Sequence, residues 1–251
     1  MGRALILTVS MLLLNLSAGS LQAASLSETI RQLKPSIVGI GTYLPSRRPA
    51  ARLMGTGFVV GNGYQVVTNH HVANVELDLE RNERLIVFSG VGKQAKSHPA
   101  TILRSSPRHD LAVLRIGQAL PPLKLAEADL AMEGEDIAFT GFPIGSVLGL
   151  YPATHKGLIS AITPIAIPSP SSRQLKASKI NRLRNPIEVY QLDATAYPGN
   201  SGSPVYRPDT GEVVGVLNQV FVKSTKEDVL SKPSGISYAI PIKHLNGLIG
   251  Q

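Results

Sequence analysis

The chain has 251 residues, of which 43% are hydrophobic and 17% charged, enough for a packed core at an ordinary charge density. It contains no cysteine and no tryptophan, which excludes disulfides and cysteine-based zinc sites as the source of stability. The formal charge of +8 favours anionic surfaces, yet no zinc finger, aromatic-basic RNA signature or recognition helix accompanies it. The charge therefore reads as a solvated basic surface, with no nucleic-acid partner expected.

Met1-Gly2-Arg3 is a short basic start, Ala4 to Leu16 is mostly apolar, and Ser17 to Ala24 is small and polar. That pattern is an export signal over about 1–24, with an uncleaved anchor as the rival reading. The apolar run is short and interrupted by Thr8, Ser10 and Asn15, so no integral membrane segment is expected after signal removal. Ser25-Leu26-Ser27-Glu28 has capping-box spacing, and Leu26, Ile30 and Leu33 share one helical face before Pro35 stops the helix. Ser36 to Tyr43 alternates as a strand, and Leu44 to Leu53 reads as a loop. Gly55 to Val60 and Tyr64 to Thr68 form a hairpin about Asn62-Gly63. Glu76 to Arg84 is charged and solvent-facing. Arg84 to Phe88, Ala100 to Leu103 and Leu111 to Ile116 complete a first barrel of about six strands over about 36–120. Pro121-Pro122 and Ala126 to Gly134 make the crossing to a second unit of about 132–251. Its strands are Asp136 to Phe142, Tyr151 to Ile162, Val189 to Leu192, Pro204 to Tyr206, Val213 to Asn218 and Ile236 to Ile240. Pro241, Ile242, Leu245 and Leu248 predict a terminal amphipathic helix. No internal repeat is evident.

The chemistry concentrates in Tyr197-Pro198-Gly199-Asn200-Ser201-Gly202-Ser203-Pro204. A serine between glycines makes a tight turn that can push its hydroxyl outward and aim the Gly199 and Ser201 N–H groups at one point. Preorganised donors of that kind stabilise a tetrahedral oxyanion. Ordinary surface-turn chemistry is the bland reading of the same letters. Two further stretches tip the balance: Thr68-Asn69-His70-His71-Val72 ends an apolar strand, and His109-Asp110-Leu111-Ala112-Val113-Leu114 opens another. The order His, Asp, Ser is that of chymotrypsin-type peptidases rather than subtilisins or α/β-hydrolases.

The blocks Gly55 to Val60, Thr68 to Val72, Asp110 to Leu114, Gly199 to Pro204 and Tyr238 to Pro241 resemble the trypsin-like serine peptidases, most closely the Deg-type (high-temperature-requirement) proteases. The resemblance implies an all-β, chymotrypsin-like double β-barrel with short N- and C-terminal helices and without the peptide-binding PDZ modules of many Deg-type proteins. It implies an exported, periplasmic or secreted serine endopeptidase with no cofactor, polypeptide substrates of unfolded or flexible type, and a homo-oligomer, trimers being common in the family. His71, Asp110 and Ser201 would be the catalytic residues, with Gly199 and Ser201 supplying the oxyanion hole. Counting from Thr68 selects His71 over His70, and strand alternation would send the two rings opposite ways. Thr195 would floor an uncharged specificity pocket, and Val216, Leu217 and Asn218 would form the ledge along which substrate pairs. Asn200 replaces the aspartate of trypsin-like zymogens, which implies control by loop ordering. Ser203 and Tyr197 depart from the family's glycine and asparagine, so a peptide-binding or holdase protein on the same scaffold stands as the alternative. Ser171 to Pro186, with five basic residues, reads as a basic insertion where the family has a regulatory loop, an electrostatic sensor being the sharper alternative. The remaining histidines offer no metal-ligand spacing.

Overall fold

The computed structural model describes residues 24–127, 131–144, 149–165, 186–218 and 236–249. The export-signal stretch up to Ala23 and the basic stretch from Ser171 to Asn185 lie outside the described residues. Helix α1 (Leu26–Leu33) starts as its capping box dictates: Ser25 Oγ accepts from Glu28 N, and the Glu28 carboxylate accepts from Ser25 N at 2.9 Å. That reciprocal bond draws the Glu28 carboxyl below its ordinary value, the Ser25 backbone N–H being the main cause. Among the described residues no helix is long and apolar enough to cross a membrane.

Two closed six-stranded barrels follow. The first comprises β1 (Ile37–Tyr43), β2 (Ala51–Val60), β3 (Gln65–Thr68), β4 (Arg84–Ser89), β5 (Lys96–Ser106) and β6 (Leu111–Ile116), in the order β1-β2-β3-β6-β5-β4. The second comprises β7 (Asp136–Gly141), β8 (Ala153–Ile165), β9 (Ile187–Asp193), β10 (Pro204–Tyr206), β11 (Val213–Asn218) and β12 (Ile236–Pro241), and it repeats the connectivity as β7-β8-β9-β12-β11-β10. All pairings are antiparallel. The double-barrel class expected from the resemblance is the class observed.

The strands read as nearly continuous apolar runs because many have two apolar environments. Alternate side chains of one strand point to opposite faces. Val38, Ile40, Val66, Ala112 and Leu114 fill the interior of the first barrel, and Ile137, Phe139, Val214 and Leu217 fill the second. Their neighbours Ile37, Val67, Leu111, Val113, Ala138, Val213, Val216 and Ile240 meet in a third cluster that is the seam between the barrels. Each such valine, leucine, isoleucine or phenylalanine, once buried, stabilises the fold by about 1.5–3 kcal/mol. The connection between barrels is stitched to both of them, with Leu123 N donating to Val59 O and Ala126 N to Val213 O.

The two ends of the chain cross over. Helix α1 precedes the first barrel but packs on the second, where Thr29 and Leu33 cover Gly211 in the β10–β11 loop. The C-terminal segment follows the second barrel but reaches the first, through Arg104 Nη1 to Leu248 O and a stack of His244 on His109. The predicted terminal helix is only a single 3₁₀ turn over Ile242–Leu245, and Pro241 belongs to β12. The turn ends at Asn246, ahead of Gly247 at φ 85°. Two other differences concern edges. Strand β2 begins at Ala51 because Ala51 pairs with Tyr43, and β5 extends from Lys96 to Ser106 although most of its side chains face water.

Candidate active site

Strand β3 ends at Thr68, and Asn69 leads into the one-turn helix α2 (His70–Ala73). The two adjacent histidines therefore lie about 100° apart on a helical turn rather than on opposite faces of a strand. His71 is the one that meets the acid. Its Nδ1 lies 2.6 Å from Asp110 Oδ2, and its backbone N–H donates to Asp110 Oδ1 at 2.9 Å.

Asp110 sits at the mouth of β6 in the left-handed region, at φ 51°. Aspartate tolerates that conformation better than most residues, at some cost in strain. The surroundings hold it there: the Asp110 carbonyl accepts from Asn69 Nδ2 and from His70 N, each at 3.0 Å. A third donor reaches the carboxylate from the other barrel, Asn218 Nδ2 to Asp110 Oδ2 at 2.7 Å. Asn218 is fully buried at the end of β11. A buried carboxylate with three donors needs no counter-charge to stay satisfied.

The serine segment is clamped between the barrels. Thr56 N donates to Ser201 O at 2.9 Å from the first barrel, while Gly202 N donates to Leu217 O and Leu217 N to Ser203 O in the second. Gly55 is the point where the two halves of the site touch. A Cβ there would stand 2.8 Å from Val72 Cγ1 and 3.0 Å from Ser201 O, so a larger residue would force the histidine turn and the serine apart. Ser201 itself is only 6% exposed.

The peptide groups of the turn have a defined direction. Pro198 O accepts from Ile144 N at 2.6 Å. In a trans peptide the C=O and the following N–H point opposite ways, so the Gly199 N–H is turned away from residues 142–144. Thr56 Oγ1 fixes the next peptide, donating to Gly199 O at 2.7 Å and accepting from Phe142 N at 3.0 Å. At φ +100°, with Phe142 O where a Cβ would go, residue 199 has to be glycine.

The sequence model of the trypsin-like peptidase domain matches residues 55–216. The chain belongs to that family. Among its relatives, a protein of Marinomonas sp. (strain MWYL1) named a probable periplasmic serine endoprotease, DegP-like, is 28% identical over 215 residues, covering 84% of this chain and 38% of the relative. A protein of the same name from Halomonas elongata is 31% identical over 196 residues, covering 76% of this chain and 33% of the relative. The chain thus spans about a third of the length of these relatives. Among solved structures, the active form of the Rv3671c protease from M. tuberculosis superposes with a TM-score of 0.61 at 23% identity, over 87% of this chain and 81% of that one. The HtrA-type protease AlgW with a tripeptide gives 0.61 at 22% identity, over 89% and 62%. These two share the double-barrel fold.

In this trypsin-like peptidase domain the departures at Ser203 and Tyr197 have local explanations. Ser203 is fully buried, and its Oγ occupies the space a side chain on Gly141 would need, so the hydroxyl is accommodated by the missing Cβ opposite. Tyr197 O accepts from Asn200 N at 3.0 Å, and its ring leans on His155 at 5.9 Å, which in turn stacks on Phe139. Burial holds His155 below the ordinary imidazole range, so this support is an uncharged aromatic one. Thr195 is half-buried just after β9, on the chain leading into the serine turn.

The expected ledge needs correction. Val216 and Leu217 are fully buried, Val216 pairs with both Pro204 and Ile240, and both backbone groups of Leu217 are taken by residues 202 and 203. Neither offers a free edge to a substrate strand. Asn218 turns its side chain to Asp110 instead. Sequence reasoning missed this contact along with the bracing by Thr56 and Asn69; a polar residue closing the apolar run Val213 to Leu217 was the available signal for Asn218. Among the described residues no three metal-binding side chains come together.

Proposed function

We propose that this domain is an exported serine endopeptidase that cleaves extended polypeptide segments through an acyl-enzyme. Ser201 Oγ attacks the scissile carbonyl carbon while His71 Nε2 removes its proton. The tetrahedral oxyanion is held by the N–H groups of Gly199 and Ser201. The C–N bond then breaks, His71 gives the proton to the leaving amine, and water repeats the sequence on the ester. Asp110 accepts the Nδ1–H, which leaves Nε2 as the nitrogen for the serine and balances the imidazolium as it forms. Asn218, Asn69 and Thr56 act as positioning residues. The observation that carries this reading is the bidentate grip of Asp110 on His71, because it selects both the residue and the nitrogen.

The Gly199 N–H, turned away from residues 142–144 and so left available, supports a working oxyanion hole over a binding-only scaffold. Extended substrates are supported by the recess: with Ser201 only 6% exposed, a flexible strand suits the site better than a folded surface. Uncharged Thr195, placed as it is, favours a small or medium apolar side chain on the acyl side. Export is supported by the basic-then-apolar N-terminus and by the word periplasmic in the relatives' names. A fluorophosphonate probe is expected to label the wild type and not Ser201→Ala, and casein cleavage is expected to disappear with it. Equal casein cleavage by the two proteins would remove Ser201 as nucleophile.

A further inference from the structure

Asp110 closes the turn between β5 and β6, across which Ser106 pairs with Leu111. Its left-handed φ of 51° is a conformation that the surrounding structure has to hold. Asn69 and His70 bond its carbonyl, which fixes the side leading into β6. The side leading out of β5 depends on His109. That residue bonds back to Ser106 twice, its N–H donating to Ser106 O at 3.2 Å and its ring Nδ1 lying 3.0 Å from Ser106 Oγ. A further restraint comes from the far end of the chain.

The His244 ring lies on the His109 ring, with centroids 4.4 Å apart and planes 20° from parallel. The 3₁₀ turn that carries His244 is fixed to the second barrel. Ile242 and Leu245 are buried in the seam, Lys243 Nζ donates to Glu188 Oε2 of β9 at 2.8 Å, and the Glu188 backbone bonds the His244 ring. Arg104 of β5 ties the segment down again at Leu248 O. Burial, and then the Arg108 charge, keep His109 below the ordinary imidazole range, while burial with His109 and Lys243 brings His244 to about 4. At neutral pH two uncharged rings therefore meet without repulsion. His244 Nε2 is buried with no hydrogen-bond partner among the described residues. An unpaired buried nitrogen is a cost, so what this ring contributes is its flat face.

We infer that His244 is a positioning residue for the catalytic acid: its ring presses on His109 and so fixes the backbone on which Asp110 turns toward His71. The second barrel then reaches Asp110 by two routes, Asn218 to its carboxylate and His244 to the residue before it. The second route acts wholly through His109. The inference rests on the peptidase reading of the site, and one arm of its test works without turnover.

The test compares His244→Ala, which removes the stacked face, with His244→Phe, which keeps it. kcat and KM are measured on a quenched casein-derived peptide, and the low-field proton NMR signal of His71 Nδ1–H reports the 2.6 Å bond to Asp110 without any substrate. In His244→Ala kcat is expected to fall about two- to twelvefold, the scale of one aromatic pair, with KM within about twofold of wild type. The low-field signal should weaken or move upfield. His244→Phe should keep both readouts near wild type. Leu33→Ala unloads the other strap, over Gly211, and should lower the melting temperature while leaving kcat and the signal unchanged. Wild-type kcat and signal in His244→Ala overturn the assignment. So does phenylalanine failing as badly as alanine, or an equal loss in Leu33→Ala, which would make the effect general destabilisation. Failure of the wild type to cleave casein would sink the peptidase reading alone, since the NMR comparison stands by itself.

Discussion

Replacing Asn218 by alanine removes one of three donors to the buried Asp110 carboxylate, the 2.7 Å bond that crosses from the second barrel to the first. A hydrogen bond to a charged group contributes about 1.5–3 kcal/mol. Each 1.36 kcal/mol is tenfold in rate, so if the whole bond is expressed in the transition state, kcat/KM falls between about 10- and 150-fold. Asn218→Asp keeps the shape but turns a donor into a second carboxylate facing Asp110, and it should be worse than alanine. The assay is kcat/KM on a quenched casein-derived peptide, with fluorophosphonate labelling rate as a substrate-independent readout and thermal melts to establish folding. A folded Asn218→Ala protein within twofold of wild type would refute the reasoning. So would Asn218→Asp performing no worse than alanine, since the effect would then be packing and not charge.

Gly202→Ala should cost about 2–5 kcal/mol, from φ +89° and a Cβ that collides with Thr56 O and Thr68 Oγ1. Its melting temperature is expected to drop by roughly 5–15 °C, and an unchanged melt would contradict the close packing of turn against barrel. His244, stacked at 4.4 Å on His109, is held to about 4 by burial, with the neighbouring His109 and Lys243 adding to the effect. The unfolded chain binds that proton near pH 6.5, so stability is full above 6.5 and declines by up to about 3 kcal/mol as pH falls to 4. Melts of His244→Phe should show a shallower slope between pH 6.5 and 4.5 than wild type; identical slopes would argue against a buried neutral ring.

Local signals that depend on few residues were legible in the letters. The capping box at Ser25, the Asn62-Gly63 turn and the apolar runs of β6 and β11 are set by short-range chemistry, and they stand where the pattern puts them. Strand β5 was only partly legible because most of its residues face water, so no alternation marks its ends. The terminal helix failed because the spacing of Ile242, Leu245 and Leu248 serves a 3₁₀ turn and a strap on the seam as well as it serves a helix. The pairing of His71 with Asp110 could be anticipated from order along the chain. The bond from Asn218 could not, because it joins positions 108 residues apart in different barrels and no local rule connects them.

The exchange of ends between barrels has a mechanical consequence. A cut in the connection near Pro121-Pro122 would leave two fragments, each still buckled to the other by a terminal strap and by the apolar seam. Neither half closes its own outer face, since Phe58 and Val113 need Val216 and Ile240 for cover. Nicking there should therefore yield a non-covalent complex that melts in one transition, and the catalytic groups, drawn from both halves, would persist or vanish together.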